Sequence, residues 1–483
     1  MSQNIDLKNF ELATVNPSNK TWTSADLFCF WANNIQTIAA FALIASLYLI
    51  YNLSSYLVLS SSIAASILVY FFISLIGHPS QKHGLPFPVM MRMSIGLSGA
   101  RYLSLLRSIV GIFMFGIQTY FISKSITYLT RIIIYYMFDP QILQNEFILE
   151  FFLGLNIIDW CSLIVTFFIQ YFLFTNGQRY NQGFLKFSAI FVYFGLVLFF
   201  VMLLAENSSQ IFQSLKSNTT TADLISKSNI FPFFILTGTI FSYFSIVLLN
   251  YGDFSRYVKT SRDLKIGNLF LFLNMIAFSF LATTIVIGVD VLLNQKLIVV
   301  DQIITKPMDI IGKIDNVYLT VYALIFIIFS SLSTNLITNY VPTQNSIINF
   351  LPKNLDLKSA GLLILIFGLI TGGLWPSILS QIEIIKLIDS LAAFFGPIFG
   401  VIIADYYIVK KEKVNHKDLF FIRPKNEYLY SGGWNYKAVY AVLIGFTFSF
   451  SIIWNINFVD FKTFSWIIGF VVSYIMYYLL NEK

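Results

Sequence analysis

The sequence predicts an all-α integral membrane protein of about twelve helical spans, because windows of about 20 mainly apolar residues recur along its whole length. Two further observations agree. Of its 483 residues 57% are hydrophobic and 11% charged, with a mean hydropathy of +0.73, and no polar stretch is long enough for a separate soluble domain. Spans of this length satisfy their own backbone hydrogen bonds in lipid as helices.

In chain order, Met1 to Thr23 carries Asp6, Lys8, Glu11 and Lys20 and lacks the apolar core of a cleaved signal, so it is expected to be a retained cytoplasmic tail. Spans are expected at 24–50, 55–77, 102–136, 150–175, 184–205, 230–250, 267–292, 316–345, 360–382, 385–409, 437–457 and 462–480. Basic residues follow the even-numbered spans: Lys82, Arg92 and Arg101 after the second, Arg179 after the fourth, Arg256 to Lys265 after the sixth, Lys353 and Lys358 after the eighth, and Lys410 to Lys425 after the tenth. That bias places both termini in the cytoplasm and the polar loop Glu206 to Lys227 outside.

The formal net charge of +7 is explained by this loop bias, and no nucleic-acid partner is expected. Cys29 and Cys161 lie in apolar segments as small hydrophobes, without a disulfide framework. The sequons at Asn52, Asn207 and Asn218 carry no weight. His78 and His83 flank a turn without a third metal ligand, and a membrane enzyme would require paired carboxylates or a His cluster at one depth, against which three scattered histidines argue.

Three segments are too polar for their place in a bilayer. The first span holds Ala32-Asn33-Asn34-Ile35-Gln36; the sixth holds Gly238-Thr239 followed by Ser242 and Ser245; the eighth reads FSSLSTNLITNYVP from Phe329 to Pro342. Interrupted helices at matching positions of two halves point to a transporter with a midplane site. In the sixth span, packing through small residues is the alternative. The hydroxyls and amides of the eighth suggest a cavity for an ion, a polar solute or both.

Several segments together resemble the nucleobase:cation symporter family, the permeases for uracil, cytosine, allantoin and hydantoins. They are NPSNKTWT and FWANNIQ leading into the first span, GLPFPVMMRMSIGLSGARYLSLLRS before the third and FMFGIQTY within it, NYGDFSRYVK after the sixth, STNLITNYVP in the eighth and GPIFGVIIADYYIVKK closing the tenth. The resemblance implies the LeuT-like fold: two inverted five-helix repeats, discontinuous first and sixth helices, and two peripheral helices. The chain then divides into a tail (1–23), a first repeat (24–205), an external loop (206–229), a second repeat (230–409), a cytoplasmic loop (410–436) and peripheral spans (437–483), acting as a monomer in a bacterial inner membrane.

It also implies a secondary active transporter that imports a neutral heterocycle with a cation. Sodium would be held by the carbonyls of Ala32, Ile35 and Ser330 and the side-chain oxygens of Ser333 and Thr334, a neutral oxygen set suited to a hard cation. No acidic residue lies mid-span in spans 1, 3, 6 or 8, which favours sodium, while Asp159 and Asp290 keep the proton open as the coupling ion. No other cofactor is implied. Substrate contacts fall to Gln36, Gln118 and Asn339, whose amides offer a donor and an acceptor to a ring N–H and C=O, with Asn335 in support. Many relatives have ring-stacking tryptophans where this chain has Met114 and Phe244, so a different or less stacked ring is expected. Tyr243 contributes backbone near the break, and Phe241 is expected to pack. Asp253 and Arg256 form either an inner-gate salt bridge or an interfacial structural pair, and Asp405 with Arg92 or Lys410 is a similar expectation. An enzyme is not expected; a proton-coupled permease or a non-transporting receptor of the same fold are the alternatives.

Overall fold

The computed structural model describes residues 7, 9–37, 40–41, 55–217, 227–296, 317–382, 384–421 and 425–482. The spans are α1 (Ser24–Ile35), α2 (Ser55–His83), α3 (Leu97–Met137), α4 (Ile157–Phe174), α5 (Gln178–Ser217), α6 (Lys227–Asn250), α7 (Ser261–Lys296), α8 (Val317–Phe350), α9 (Leu357–Leu379), α10 (Ile388–Val409), α11 (Tyr436–Trp454) and α12 (Ser465–Asn481). Eleven are long and apolar enough to cross a bilayer; the twelfth, α1, ends its regular helix before Gln36, and residues 42–54 of the expected first span lie outside the described residues. Asn52 and Asn218, and part of the 206–229 loop, also lie outside them.

Polar caps start several spans. Asp26 accepts from the Thr23 N–H at 2.8 Å, Asn156 from Asp159 N–H at 2.9 Å and Asp356 from Ser359 N–H at 2.8 Å, each satisfying an amide that the first helical turn leaves unpaired. α1 then breaks at Gln36, whose φ of −83° and ψ of 63° leave the helical region. α6, by contrast, runs unbroken from Lys227 to Asn250, so the expected interruption at Gly238-Thr239 is absent. Packing explains the small residues there. A side chain at Gly238 would meet Thr463 and Phe464 of the peripheral segment, and the Thr237 and Thr239 hydroxyls bond one turn back to Phe233 and Ile235.

In the second half, α8 widens into a π-turn over Leu336–Tyr340. Further π-turns occupy Trp375–Leu379 in α9 and Asp405–Val409 in α10.

α1 packs on α7 and α6 packs on α2, so the first helix of each half lies against the second helix of the other. α3 and α8 are in contact between them, and α11 and α12 pack on each other and on α10 at the periphery. A fully buried helix, Phe87–Ile95, precedes α3, joined to it by Gly96 at φ 95°; a side chain there would collide with the Gly433 carbonyl.

The N-terminal segment gathers the even-numbered loops on one face. Val15 N–H reaches Gly84 after α2 at 3.0 Å, Trp22 N–H reaches Tyr257 after α6 at 2.9 Å, Asn9 Nδ2 reaches Pro352 and Leu355 after α8 at 2.8 Å, and Leu7 N–H reaches Phe420 after α10 at 2.8 Å. The basic loops of the sequence therefore share a side with the N-terminal segment. Tyr477, near the end of α12, donates to Asp405 at the end of α10 at 2.8 Å, which puts the C-terminal helix end there as well.

The approach of α3 to α9 depends on Gly116, where a Cβ would lie 1.8 Å from Thr371 Oγ1 and 2.5 Å from the Gly368 carbonyl. Gly116→Val is expected to lower the thermal midpoint of purified protein by several degrees, since the clash is partly with backbone and costs on the order of 1–3 kcal/mol.

Candidate functional site

The broken end of α1 meets α8 through oxygen-rich contacts. Ser330 Oγ donates to the Gln36 carbonyl at 2.7 Å, and Thr334 Oγ1 lies 3.0 Å from the Asn33 carbonyl and 2.9 Å from that of Ser330. Ser333 Oγ donates to the same Ser330 carbonyl at 2.9 Å. Hydroxyls in apolar helices ordinarily bond one turn back, and Ser333 does so; Ser330 and Thr334 also reach across to the carbonyls that the break exposes. The Ala32 and Ile35 carbonyls each accept one backbone N–H at 2.9 Å, from Gln36 and Thr37, and each keeps a second lone pair. The five oxygens expected around a cation thus come from two helix segments in direct contact.

Beside this junction runs a line of buried amides. Asn339, in the π-turn, donates to Gln118 Oε1 at 2.8 Å and to Asn335 Oδ1 at 2.9 Å; Asn335 donates to Gln170 Oε1 at 2.7 Å, and Gln170 to Thr119 Oγ1 at 2.9 Å. The structure therefore joins Gln118, Asn335 and Asn339, and adds Gln170 and Thr119. With both N–H groups of Asn339 engaged, its Oδ1 is left as an acceptor, while Gln118 Nε2 makes only a 3.4 Å contact to the Ser331 carbonyl and is a donor within reach. Gln36 is buried with both amide atoms lacking a hydrogen-bond partner, the Tyr193 hydroxyl being a polar neighbour.

Tyr243 lies with them through its side chain rather than its backbone: its hydroxyl hydrogen-bonds Thr37 Oγ1, just past the break. Phe244 is buried edge-on to Tyr243, ring centroids 5.2 Å apart, and Met114 is half-buried against the same core. Phe241 packs on Phe72 and Trp466.

The expected gate pairs do not form. Asp253 turns to the start of the Phe87–Ile95 helix, accepting from Phe87 N–H at 3.2 Å, and takes Asn250 Nδ2 at 3.3 Å. Arg256 donates to the Glu11 carbonyl at 3.0 Å and the Tyr257 hydroxyl at 2.6 Å. Helix-end amides and a carbonyl outcompete direct pairing, and the structural alternative describes both residues better. Arg92 likewise donates to Asn349, Leu7 and Leu419, and Asp405 accepts from Tyr477, while Lys410 pairs with Glu427 at 3.4 Å.

Burial pushes the Asp253 carboxyl up to about 7, with Arg256 pulling the other way. Because that lies above the ordinary 3.8, the group favours the folded state in acid and loses the contribution as pH rises through about 7. Asp253→Asn is expected to flatten the slope of thermal midpoint against pH between about 4 and 7.

Among the described residues, two ion pairs join spans. Lys186 of α5 meets Asp26 of α1 at 2.7 Å, reinforced by Gln182 at 2.6 Å, and Asn33 Nδ2 donates to the Leu185 carbonyl at 2.8 Å. Lys124 of α3 meets Asp159 of α4 at 3.0 Å, so Asp159 is a capped and paired carboxylate. The side chain of Asp290 is outside the described residues. Arg107, also missed in the sequence, is fully buried in α3 and donates to Asn250 Oδ1 at 2.7 Å and to the Thr338 carbonyl in the π-turn at 3.0 Å. A charged side chain within an otherwise apolar stretch of the span was the available signal.

His83 and His416 are brought together, ring nitrogens 3.4 Å apart, so the histidines are less scattered than the sequence suggested. Among the described residues no three His, Cys, Asp or Glu side chains form a metal-binding group. Cys29 is half-buried and Cys161 is exposed on the apolar outer surface of α4; both are free.

A helical bundle of paired halves, with a broken helix against a hydroxyl-rich partner and an amide-lined interior, defines a membrane transporter. The chain belongs to the family of permeases for cytosine/purines, uracil, thiamine and allantoin, whose model matches residues 14–477. It is 26% identical over 478 residues to an allantoin permease of Bacillus subtilis (98% of this chain, 93% of the relative) and 27% identical over 443 residues to a purine-uracil permease of Arabidopsis thaliana (91% and 70%). Its fold is that of Mhp1, a nucleobase-cation-symport-1 family transporter solved closed with bromovinylhydantoin bound (TM-score 0.73, 16% identity, 98% of this chain and 95% of that one). It is also similar to a Na⁺-coupled sialic acid symporter (TM-score 0.65, 13% identity, covering 96% and 90%). The fold is thus the LeuT-like one, and the protein is an integral membrane permease rather than an enzyme.

Proposed function

We propose that this permease imports a neutral nucleobase or related heterocycle, of the uracil, allantoin or hydantoin kind, by symport with sodium. The observation that carries the reading is the junction of α1 and α8, where uncharged oxygens gather beside the amide line of Gln118, Asn339, Asn335 and Gln170. Sodium prefers such a set, with carbonyls of Ala32, Ile35 and Ser330 and hydroxyls of Ser333 and Thr334. A ring N–H would donate to Asn339 Oδ1 while the adjacent C=O accepts from Gln118 Nε2. Phe244 and Met114 would flank the ring, and Gln36 would meet its remaining edge.

The face bearing the basic loops is taken as cytoplasmic, in a bacterial inner membrane, and the chain acts as a monomer. Opening toward that face would release α5 from α1 by parting Lys186 from Asp26 and Leu185 from Asn33. Lys186 is half exposed, so its pair contributes modestly, on the order of 1 kcal/mol or less. Lys186→Gln is expected to shift the population toward the inward-open form by about two- to fivefold, read as faster modification of a cysteine placed at the inner end of α1.

Uptake into proteoliposomes tests the function. Labelled uracil, allantoin or hydantoin is expected to accumulate under an imposed sodium gradient and not when choline replaces sodium. Accumulation driven equally by a proton gradient in choline would contradict sodium coupling, and sodium-dependent binding without accumulation would identify a receptor.

A further inference from the structure

The transport reading gives no role to Arg107, the buried cation of α3. It lies eleven residues before Gln118, about 16 Å along the helix toward the basic-loop face. Arg107, Gly111, Met114 and Gln118 follow one another at spacings of four, three and four, so they share one face of α3. The guanidinium therefore sits directly inward of the proposed solute site.

Three groups meet it there. Its Nε donates to Asn250 Oδ1 at 2.7 Å, its Nη2 donates to the Thr338 carbonyl at 3.0 Å, and its Cζ lies 5.7 Å from the centre of the Phe395 ring. Thr338 belongs to the π-turn Leu336–Tyr340, next to Asn339. Its carbonyl would take the N–H four residues on in an α-helix, but that residue is Pro342, which has none. Asn250 ends α6, and its Nδ2 goes on to Asp253 at 3.3 Å. Gly111 makes room for the arrangement, since a Cβ there would lie 2.5 Å from Arg107 Nη1 and 1.8 Å from Thr343 Oγ1. One side chain thus joins the turn that presents Asn339 to the inner end of α6.

A buried charge is costly in an apolar span, and an apolar side chain would fill the same space. What the guanidinium adds is a contact with two settings. In the dry interface its fork of donors is met by Asn250 and Thr338; once the inner ends part, water meets it instead. α6 packs on α2 and α3 packs on α8, so the two settings correspond to those pairs joined and apart.

We propose that Arg107 is a positioning residue for transport, a latch that holds the inner end of α6 to the solute-bearing turn of α8 until a heterocycle engages Asn339. The inference rests on the transport reading above. A ring N–H that donates to Asn339 Oδ1 draws on the π-turn, the Thr338 carbonyl shifts from the guanidinium, and Asn250 is released with it. Without solute the latch stays set, so sodium alone does not open the face of the basic loops.

A cysteine placed at the inner end of α1, in full-length protein carrying Cys29→Ser and Cys161→Ser, reports opening through its rate of modification. Labelled uracil, allantoin and hydantoin report binding to the same samples. In sodium, a heterocycle that binds is expected to speed modification by about fivefold or more when Arg107 and Asn250 are intact. Arg107→Gln should raise the rate without heterocycle to about that level and remove the response, while heterocycle affinity stays within about fivefold of wild type. Asn250→Ala should do the same without touching α3, and with a lower thermal midpoint, because it strands the guanidinium. The double variant strands no charge, so it should regain thermal midpoint without regaining the response; a packing role would restore both together. A heterocycle response that survives in Arg107→Gln or in Asn250→Ala, that returns in the double variant, or that is absent although the wild type binds heterocycle overturns the proposal. No binding of any of the three heterocycles by the wild type in sodium overturns the transport reading instead, and the latch falls with it.

Discussion

Asn339→Ala is expected to weaken heterocycle binding by about 30- to 100-fold at saturating sodium. Asn339 is the hinge of the amide line, holding Gln118 Oε1 at 2.8 Å and Asn335 Oδ1 at 2.9 Å while presenting its own carbonyl. Truncation removes one bond to the ring and leaves two buried acceptors unsatisfied. Together these cost about 2–3 kcal/mol. Gln118→Ala, at the end of the line, strands a single donor and should cost about tenfold. Titration of labelled uracil, allantoin and hydantoin onto the purified variants measures both. Unchanged affinity for every ligand that the wild type binds would make the amide line a packing device.

Replacing Ser333 and Thr334 together, as Ser333→Ala with Thr334→Val, is expected to raise the half-saturating sodium concentration at least tenfold. Both hydroxyls converge on the Ser330 carbonyl, and Thr334 also reaches Asn33 of α1. A hard cation that loses two of five oxygens cannot recover them from apolar side chains. Heterocycle affinity should fall at low sodium and return at high sodium, because coupling between the two sites is reciprocal. Thr334→Ser, which keeps the oxygen, should behave as wild type, separating a ligand role from packing. A double variant with the wild-type sodium requirement would place the cation elsewhere.

The helical membrane architecture was legible because long apolar runs leave the backbone few alternatives in lipid, and the break near Gln36 because amides cluster there in an apolar span, although Asn33 and Asn34 lie in regular helix and bond back to the Cys29 and Phe30 carbonyls. The matching break in α6 was misread. Gly238 is small so that Thr463 and Phe464 can approach, a contact between segments more than two hundred residues apart that local composition does not reveal. The π-turn of α8 was equally hidden, since it depends on tertiary partners such as Arg107, whose guanidinium takes the Thr338 carbonyl. Gln118, Asn335 and Asn339 could be nominated from polarity and resemblance, whereas Gln170 could not. It looked like one more polar residue in an apolar span until folding set it 2.7 Å from Asn335. Asp253 and Arg256 look like a salt bridge in sequence, but each finds a backbone partner on another element.

The most direct test is the dissociation constant of the transported heterocycle measured across a sodium series, with choline holding ionic strength constant. A cation at the junction of α1 and α8 predicts that heterocycle affinity rises with sodium, that sodium affinity rises by the same factor when heterocycle is present, and that both effects vanish in Ser333→Ala with Thr334→Val. Equal heterocycle affinity in choline and in sodium would contradict it.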